Sequence, residues 1–349
     1  MIPRPRLIAF LALTVLVAVA LLATRLHSQE AAAALEAAAG EAVAVDGSFV
    51  RLGLAYLRAP SPALLAELAG TPAARTIAEH ARRVALPAGA PSAEELVASL
   101  LLEVEAAGHD PDVLEAMLYR LESDGPALRR CRAEAARYLP AGALDGAVLH
   151  LTLGYDIGVA LAGAATLNLA HPRFHGDFRE LWFYCVHELH HAGFMTYHDL
   201  PELASIRTTT DLAALVRALT FLEGLAVHAA RGWRAAAGAL EDDPDYAALQ
   251  DAVRMRGYEQ EYFRLYHLLE RAPHRPLVPG DWDVLEPLAG GDRLWYRVGA
   301  LMAERIEEEL GREALIEAVV AGPHRFFELY ALLPGSAGAL YDGGADRRP

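Results

Sequence analysis

The stretch Asp177-Phe-Arg-Glu-Leu-Trp-Phe-Tyr-Cys-Val-His187-Glu188-Leu-His190-His191-Ala-Gly193 decides how this chain is read. Asp177 is a good N-cap, Glu180 three residues on completes a capping-box-like pair, and Gly193 stands where a C′ glycine would end a helix. The pattern predicts a helix from Phe178 to Ala192, with His187-Glu188-Leu189-His190-His191 in its last turns. Residues four apart on a helix lie one above the other, so His187 and His191 can aim two imidazoles at one metal ion. Glu188, about 100° round the helix, can reach a water bound to that ion. This is the H-E-x-x-H arrangement that zinc hydrolases need. The plain alternative is a pair of hydrogen-bonded packing histidines on a core helix.

A catalytic zinc takes three protein ligands and keeps one position open. The metzincin continuation is absent, because its glycine and histidine places hold Phe194 and Tyr197. His198 and Asp199 are close in sequence but at no familiar zinc spacing. Glu223 is better placed, in Phe-Leu-Glu223-Gly224-Leu-Ala-Val-His228 on a helix expected to start near Thr210 or Asp211. A carboxylate on an apolar helical stretch is costly to bury unless it is paired or bound to metal. Gly224 beside it would let another backbone or a ligand approach closely.

H-E-x-x-H followed some thirty residues on by a helix reading Glu223-Gly-Leu-Ala226 resembles the gluzincin group of zinc metallopeptidases, the thermolysin-like clan. Within that clan the chain looks closest to a set of poorly characterised zinc-dependent peptidases. The resemblance covers roughly residues 147–330. It implies one zinc ion held by His187, His191 and Glu223, with Glu188 as general base. The expected fold is α+β and predominantly helical, with a zincin-like lobe of small sheet and zinc helix, a helical lobe over Thr210–Tyr330, and the site between them. One departure stands out: the place four residues after Glu223, where the thermolysin pattern has an Asp that orients a zinc histidine, is Val227.

Upstream, Ala147–Tyr155 has strand character, and Val159–Leu169 is a second apolar run after the Asp156-Ile-Gly158 turn. The resemblance implies an edge strand beside the zinc helix that pairs with extended substrate. Gly163–Asn168 is one candidate for that edge, since small side chains leave its backbone open; an ordinary buried hairpin is the other. An oxyanion donor is also required. Tyr296, at the start of the helix Trp295-Tyr-Arg-Val-Gly299, and His228 are the candidates. Tyr262, Tyr266 and His267 read as packing or surface residues.

At the N-terminus, Arg4 and Arg6 precede an apolar run from Leu7 to Ala23. This reads as an uncleaved membrane anchor with the enzyme outside, or as a signal peptide with secretion after cleavage. No Cys follows it closely, which excludes a lipoprotein. A formal net charge of −15 argues against nucleic-acid binding. Cys131 and Cys185 read as small core residues, although an oxidising compartment would allow them to pair. Residues 30–145 are expected to be helical and to build packing or the substrate groove, with His80 and His109 of no assigned role. Residues 146–333 form the catalytic region, and Pro334–Pro349 is expected to be disordered.

Three functions remain open on the sequence. The first is a zinc-dependent metallopeptidase acting on peptide or protein substrates. The second is a membrane-anchored binding or chaperone-like module on a peptidase fold, which intact Glu188 speaks against. The third is a zinc hydrolase of non-peptide amides.

Overall fold

The computed structural model describes residues 40–84 and 91–336. The N-terminal apolar run, the segment that follows it to Ala39 and all but the first residues of the expected disordered tail lie outside that range. Within it the protein is α+β and predominantly helical.

The chain enters through a short strand, β1 (Ala44–Asp46), and then builds six helices: α1 (Ser48–Arg58), α2 (Pro62–Ala69), α3 (Pro72–Val84), α4 (Ala93–Ala106), α5 (Pro111–Ser123) and α6 (Gly125–Ala136). Their starts are written locally. Ser61 accepts from Leu64 N ahead of α2, and Ser92 and Glu95 form a reciprocal capping box on α4. The strands β2 (Val148–Thr152), β3 (Gly158–Leu161) and β4 (Ala164–Asn168) follow. The sheet order is β1-β2-β4-β3, with β1 parallel to β2, β2 parallel to β4, and β3 antiparallel to β4. The N-terminal region is thus not purely helical, since it supplies one strand to the sheet.

Gly163–Asn168, read as a possible open edge, is the interior strand β4. The hairpin alternative is what forms, with Gly163 at positive φ in its turn. Its polar side chains serve the interior. Thr166 Oγ1 bonds both N and O of Val159, and Asn168 Oδ1 accepts from Gly154 N and Ala170 N. The edge strands are β1 and β3, and β3 is the one that packs against the helix carrying His187 and His191.

Beyond a single-turn α7 (Pro172–Gly176) comes α8 (Arg179–Phe194), which carries the H-E-x-x-H residues. Both expected end signals act differently. Asp177 Oδ1 accepts from Arg179 N, but Glu180 turns inward to Arg234 instead of closing a capping box. Gly193 lies inside the helix, and a Cβ there would come within 2.5 Å of Leu139 Cδ1. Its smallness serves packing rather than termination. Cys131 of α6 and Cys185 of α8 are disulfide-bonded across a Cα separation of 6.0 Å, so they are a covalent tie rather than two separate core residues.

The remaining helices are α9 (Thr209–Ala236), α10 (Pro244–Leu249), α11 (Ala252–Glu270), α12 (Leu285–Ala289), α13 (Leu294–Leu310), α14 (Arg312–Ala321) and α15 (Pro323–Ala331). By length and composition α9 could cross a membrane, but 72% of its apolar window is buried against the rest of the protein. It is the central core helix, packed against α8 on one side and α13 on the other.

Candidate metal centre and catalytic cleft

The helical spacing of four stacks His187 and His191 on one face of α8, their rings edge-to-face with centroids 4.4 Å apart. Across from them α9 presents Glu223. Its Oε2 lies 3.2 Å from His187 Nε2 and 3.1 Å from His191 Nε2, and the two Nε2 atoms are 2.9 Å apart. Among the described residues this is the single cluster of at least three such side chains with converging ligand atoms. Two imidazoles and a carboxylate meeting at one point are a donor set that fits a catalytic zinc. The electrostatics agree. Burial works against the charge on Glu223, yet the two imidazoles hold its carboxyl far below the usual range. Burial likewise disfavours charge on His191, but Glu223 holds that ring above its ordinary value. Burial and the neighbouring His191 push His187 down.

Glu188 is buried next to this cluster. Burial pushes its carboxyl up to about 8, with the Glu223 and Asp156 charges acting in the same sense and His191 opposing. Its side chain lies against the first residue of β3: a Cβ on Gly158 would come within 2.6 Å of Glu188 Cγ. Gly158 therefore makes room for the carboxyl beneath the strand.

These residues open onto a cleft of about 530 Å³. Asp156, Ile157, Gly158, Val159 and Ala160 all line it. Consecutive strand residues alternate between faces, so Gly158, Val159 and Ala160 in a row mean that the edge of β3, not one face, borders the cleft. Tyr296 lines the opposite wall. Burial, reinforced by the Glu223 charge, pushes its phenol well above the usual tyrosine range, so it stays a proton donor. Val227 also lines the cleft and offers nothing to orient a histidine. The Nδ1 of His191 is buried without a hydrogen-bond partner among the described residues.

His228 is not brought to the cleft. Five residues beyond Glu223 on a helix, it points elsewhere, bonding Glu307 through Nε2 at 2.7 Å with its ring edge-on to Tyr138. Tyr262 and Tyr266 are buried packing residues, and His267 sits by Glu270.

Several cleft residues carry no motif in the sequence. His80, from α3, lines the wall with its Nδ1 2.9 Å from the Tyr155 hydroxyl. At one end, Arg173 and Arg234 pair with Glu180 and Asp243, the Arg234–Glu180 contact being bidentate at 2.6 and 2.7 Å. Nearby, Asp245 accepts from both Arg293 and Arg297. The only local hint of these networks was the acidic run Glu241-Asp242-Asp243-Pro-Asp245, whose partners are distant in sequence.

A helical α+β protein with a His-His-Glu cluster beside a buried carboxylate has the parts of a metallohydrolase. A family profile described as "Putative zinc dependent peptidase (DUF5700)" matches residues 102–332, and the chain belongs to that family. No curated protein and no solved structure matches it.

Proposed function

We propose that this protein is a zinc-dependent metallopeptidase of gluzincin type, holding one zinc ion through His187, His191 and Glu223. The observation that carries the reading is the convergence of those three donors beside the buried Glu188, under the free edge of β3. A zinc ion held there supplies Lewis acidity, which acidifies water and polarises a carbonyl. The protein's own residues do the rest. The β3 edge offers main-chain hydrogen bonds to an extended peptide without demanding a particular sequence. Glu188 takes a proton from the attacking water at its carboxylate and returns it to the departing amine. The Tyr296 phenol donates to the oxygen on which negative charge develops.

The reading places the enzyme outside the cytoplasmic membrane, held by Leu7–Ala23 or released by its cleavage. The Cys131–Cys185 disulfide supports an oxidising compartment.

The test is elemental analysis of the purified full chain and of Glu223→Ala, together with peptide hydrolysis by wild type and Glu188→Gln. About one zinc per wild-type chain, largely lost in Glu223→Ala, with hydrolysis abolished in Glu188→Gln, is the expected result. A protein that neither contains nor takes up zinc would return His187 and His191 to structural roles.

A further inference from the structure

The guanidinium groups around the cleft are not equally neutralised. Arg173 and Arg234 face two carboxylates, Glu180 and Asp243. Arg293 and Arg297 share one. Asp245 Oδ2 accepts from Arg293 Nε and Asp245 Oδ1 from Arg297 Nε, both at 2.8 Å, and no second carboxylate pairs with either arginine among the described residues. The three groups therefore carry an excess of one positive charge. Arg297 is a buried member, its side chain 6% exposed, whereas that of Arg293 is 37% exposed and lines the cleft. The excess charge is thus presented at Arg293.

Arg293 is also held rigidly. It is one of three non-glycine residues at positive φ among the described residues, with φ 49° and ψ 45°. Backbone strain of this kind persists only where the surroundings enforce it, and it gathers at functional sites. Asp245 fixes the Nε side of the guanidinium, and its face lies 3.7 Å from the centroid of Tyr296. Among the described residues no further hydrogen bond engages its two terminal nitrogens. Arg293 is the N-cap residue of the 17-residue α13, whose first turn carries Tyr296 and has no side-chain cap. The positive end of that helix adds to a field that favours an anion.

We infer that Arg293 is a substrate-recognition residue that receives a carboxylate of the bound peptide, selecting for substrates with an anionic group beside the scissile bond. A guanidinium fork binds a carboxylate through two parallel hydrogen bonds, and Arg293 lines the cleft with its Nε held by Asp245. That carboxylate is either the peptide's own C-terminus or an Asp or Glu side chain. The choice of a peptide as ligand rests on the proposed peptidase function; the sharing of one paired carboxylate by two arginines does not.

The test uses three short acetylated peptides of one sequence: a free C-terminal acid, its amide, and the amide with an internal Gln replaced by Glu. Binding is measured by calorimetry on zinc-loaded Glu188→Gln, and cleavage by mass spectrometry on wild type. The expected result is that one of the two acids binds roughly 10- to 100-fold more tightly than the neutral amide, the range set by loss of a charge-assisted hydrogen bond. Arg293→Asn, suited to positive φ, is expected to erase that preference, so that the acid and its neutral amide bind alike. Arg293→Lys, added to control for misfolding, is expected to restore part of it. Preference for the C-terminal acid identifies an exopeptidase-type anchor, and preference for Glu a side-chain pocket; both support the inference. Cleavage that depends neither on any carboxylate nor on Arg293 overturns it and leaves the peptidase reading intact. Carboxylate-selective binding with no cleavage of any peptide does the reverse.

Discussion

Gly224 and Gly299 meet where α9 crosses α13, so closely that a Cβ on Gly224 would lie 2.3 Å from Gly299 Cα. A Cβ on Gly299 would lie 2.3 Å from the carbonyl oxygen of Thr220. The crossing fixes the candidate site, because Glu223 precedes one glycine and Tyr296 is one helical turn before the other. Each obstructing atom is backbone and cannot swing aside. Gly224→Ala and Gly299→Ala are therefore expected to push the helices apart, costing about 1–3 kcal/mol or more. They should also weaken zinc binding by displacing Glu223. Thermal melts and zinc titration check this; unchanged values for both would mean that the crossing tolerates separation.

Gly158 plays a comparable part at smaller scale. A methyl there would press on Glu188 Cγ at 2.6 Å and on Thr166 O at 2.8 Å, and only the glutamate side chain can give way. Gly158→Ala is expected to lower kcat/KM on the order of 100-fold, since misplacing a catalytic group by about 1 Å has that effect. Zinc content should stay the same. Loss of zinc along with activity would point to a general disturbance instead.

The raised pKa of Glu188 has a signature in the metal-free protein. Between its unfolded value, 4.5, and about 8, the folded state keeps a proton that the unfolded chain has released. Its contribution to stability is full below 4.5 and is lost as pH rises toward 8. Other buried groups titrate in the same window, so the informative quantity is the difference between wild type and Glu188→Gln. With zinc removed, that difference is expected to move in favour of the variant as pH rises from 4.5 to 8, by on the order of a few kcal/mol. Chemical denaturation across that range measures it; a pH-independent difference would mean that Glu188 titrates normally.

The candidate site was legible where its chemistry is local. His187, Glu188 and His191 declare themselves within five residues, and Glu223 stood out as a carboxylate on an apolar helix beside a glycine. What stayed hidden depends on partners far along the chain. Glu180 reads as half of a capping box because Asp177 is near, whereas its strong partner Arg234 is 54 residues away. The sharing of Asp245 by Arg293 and Arg297 spans 48 and 52 positions, with no periodic mark. The edge strand stayed open between two readings because small residues argue for an open backbone at β4 as well as they do for close packing. β1, three residues long, has no alternation to read.

The disulfide lends itself to a direct test. It joins α6 to α8 across a sequence separation of 54, and closing a loop of that size stabilises by about 4 kcal/mol in the chain-entropy picture. Reduction, or Cys131→Ser with Cys185→Ser, is expected to lower the melting temperature clearly. Because Cys185 is two positions before His187, the reduced protein should also hold zinc less tightly. Equal melts for oxidised and reduced protein would remove the tie from the account.

Tyr296 and His228, both candidates by sequence, are separable by where they lie. Tyr296 lines the cleft with its phenol kept protonated, so Tyr296→Phe should remove a donor that matters only as charge develops. The expected loss is about 100- to 1,000-fold in kcat, with KM and zinc content little changed, as for removal of one oxyanion donor elsewhere. His228 bonds Glu307 away from the cleft, and that bond, more than the burial opposing it, holds the Glu307 carboxyl below its ordinary value. His228→Ala leaves Glu307 partly buried with one donor fewer, at a cost of about 1–3 kcal/mol. Its kcat, measured below the melting transition, should match wild type. Steady-state kinetics beside thermal melts on the two variants decide between them. A collapse of kcat in His228→Ala, with Tyr296→Phe unimpaired, would mean that the oxyanion is served from the other side of α9 and that the cleft wall formed by α13 is not the catalytic one.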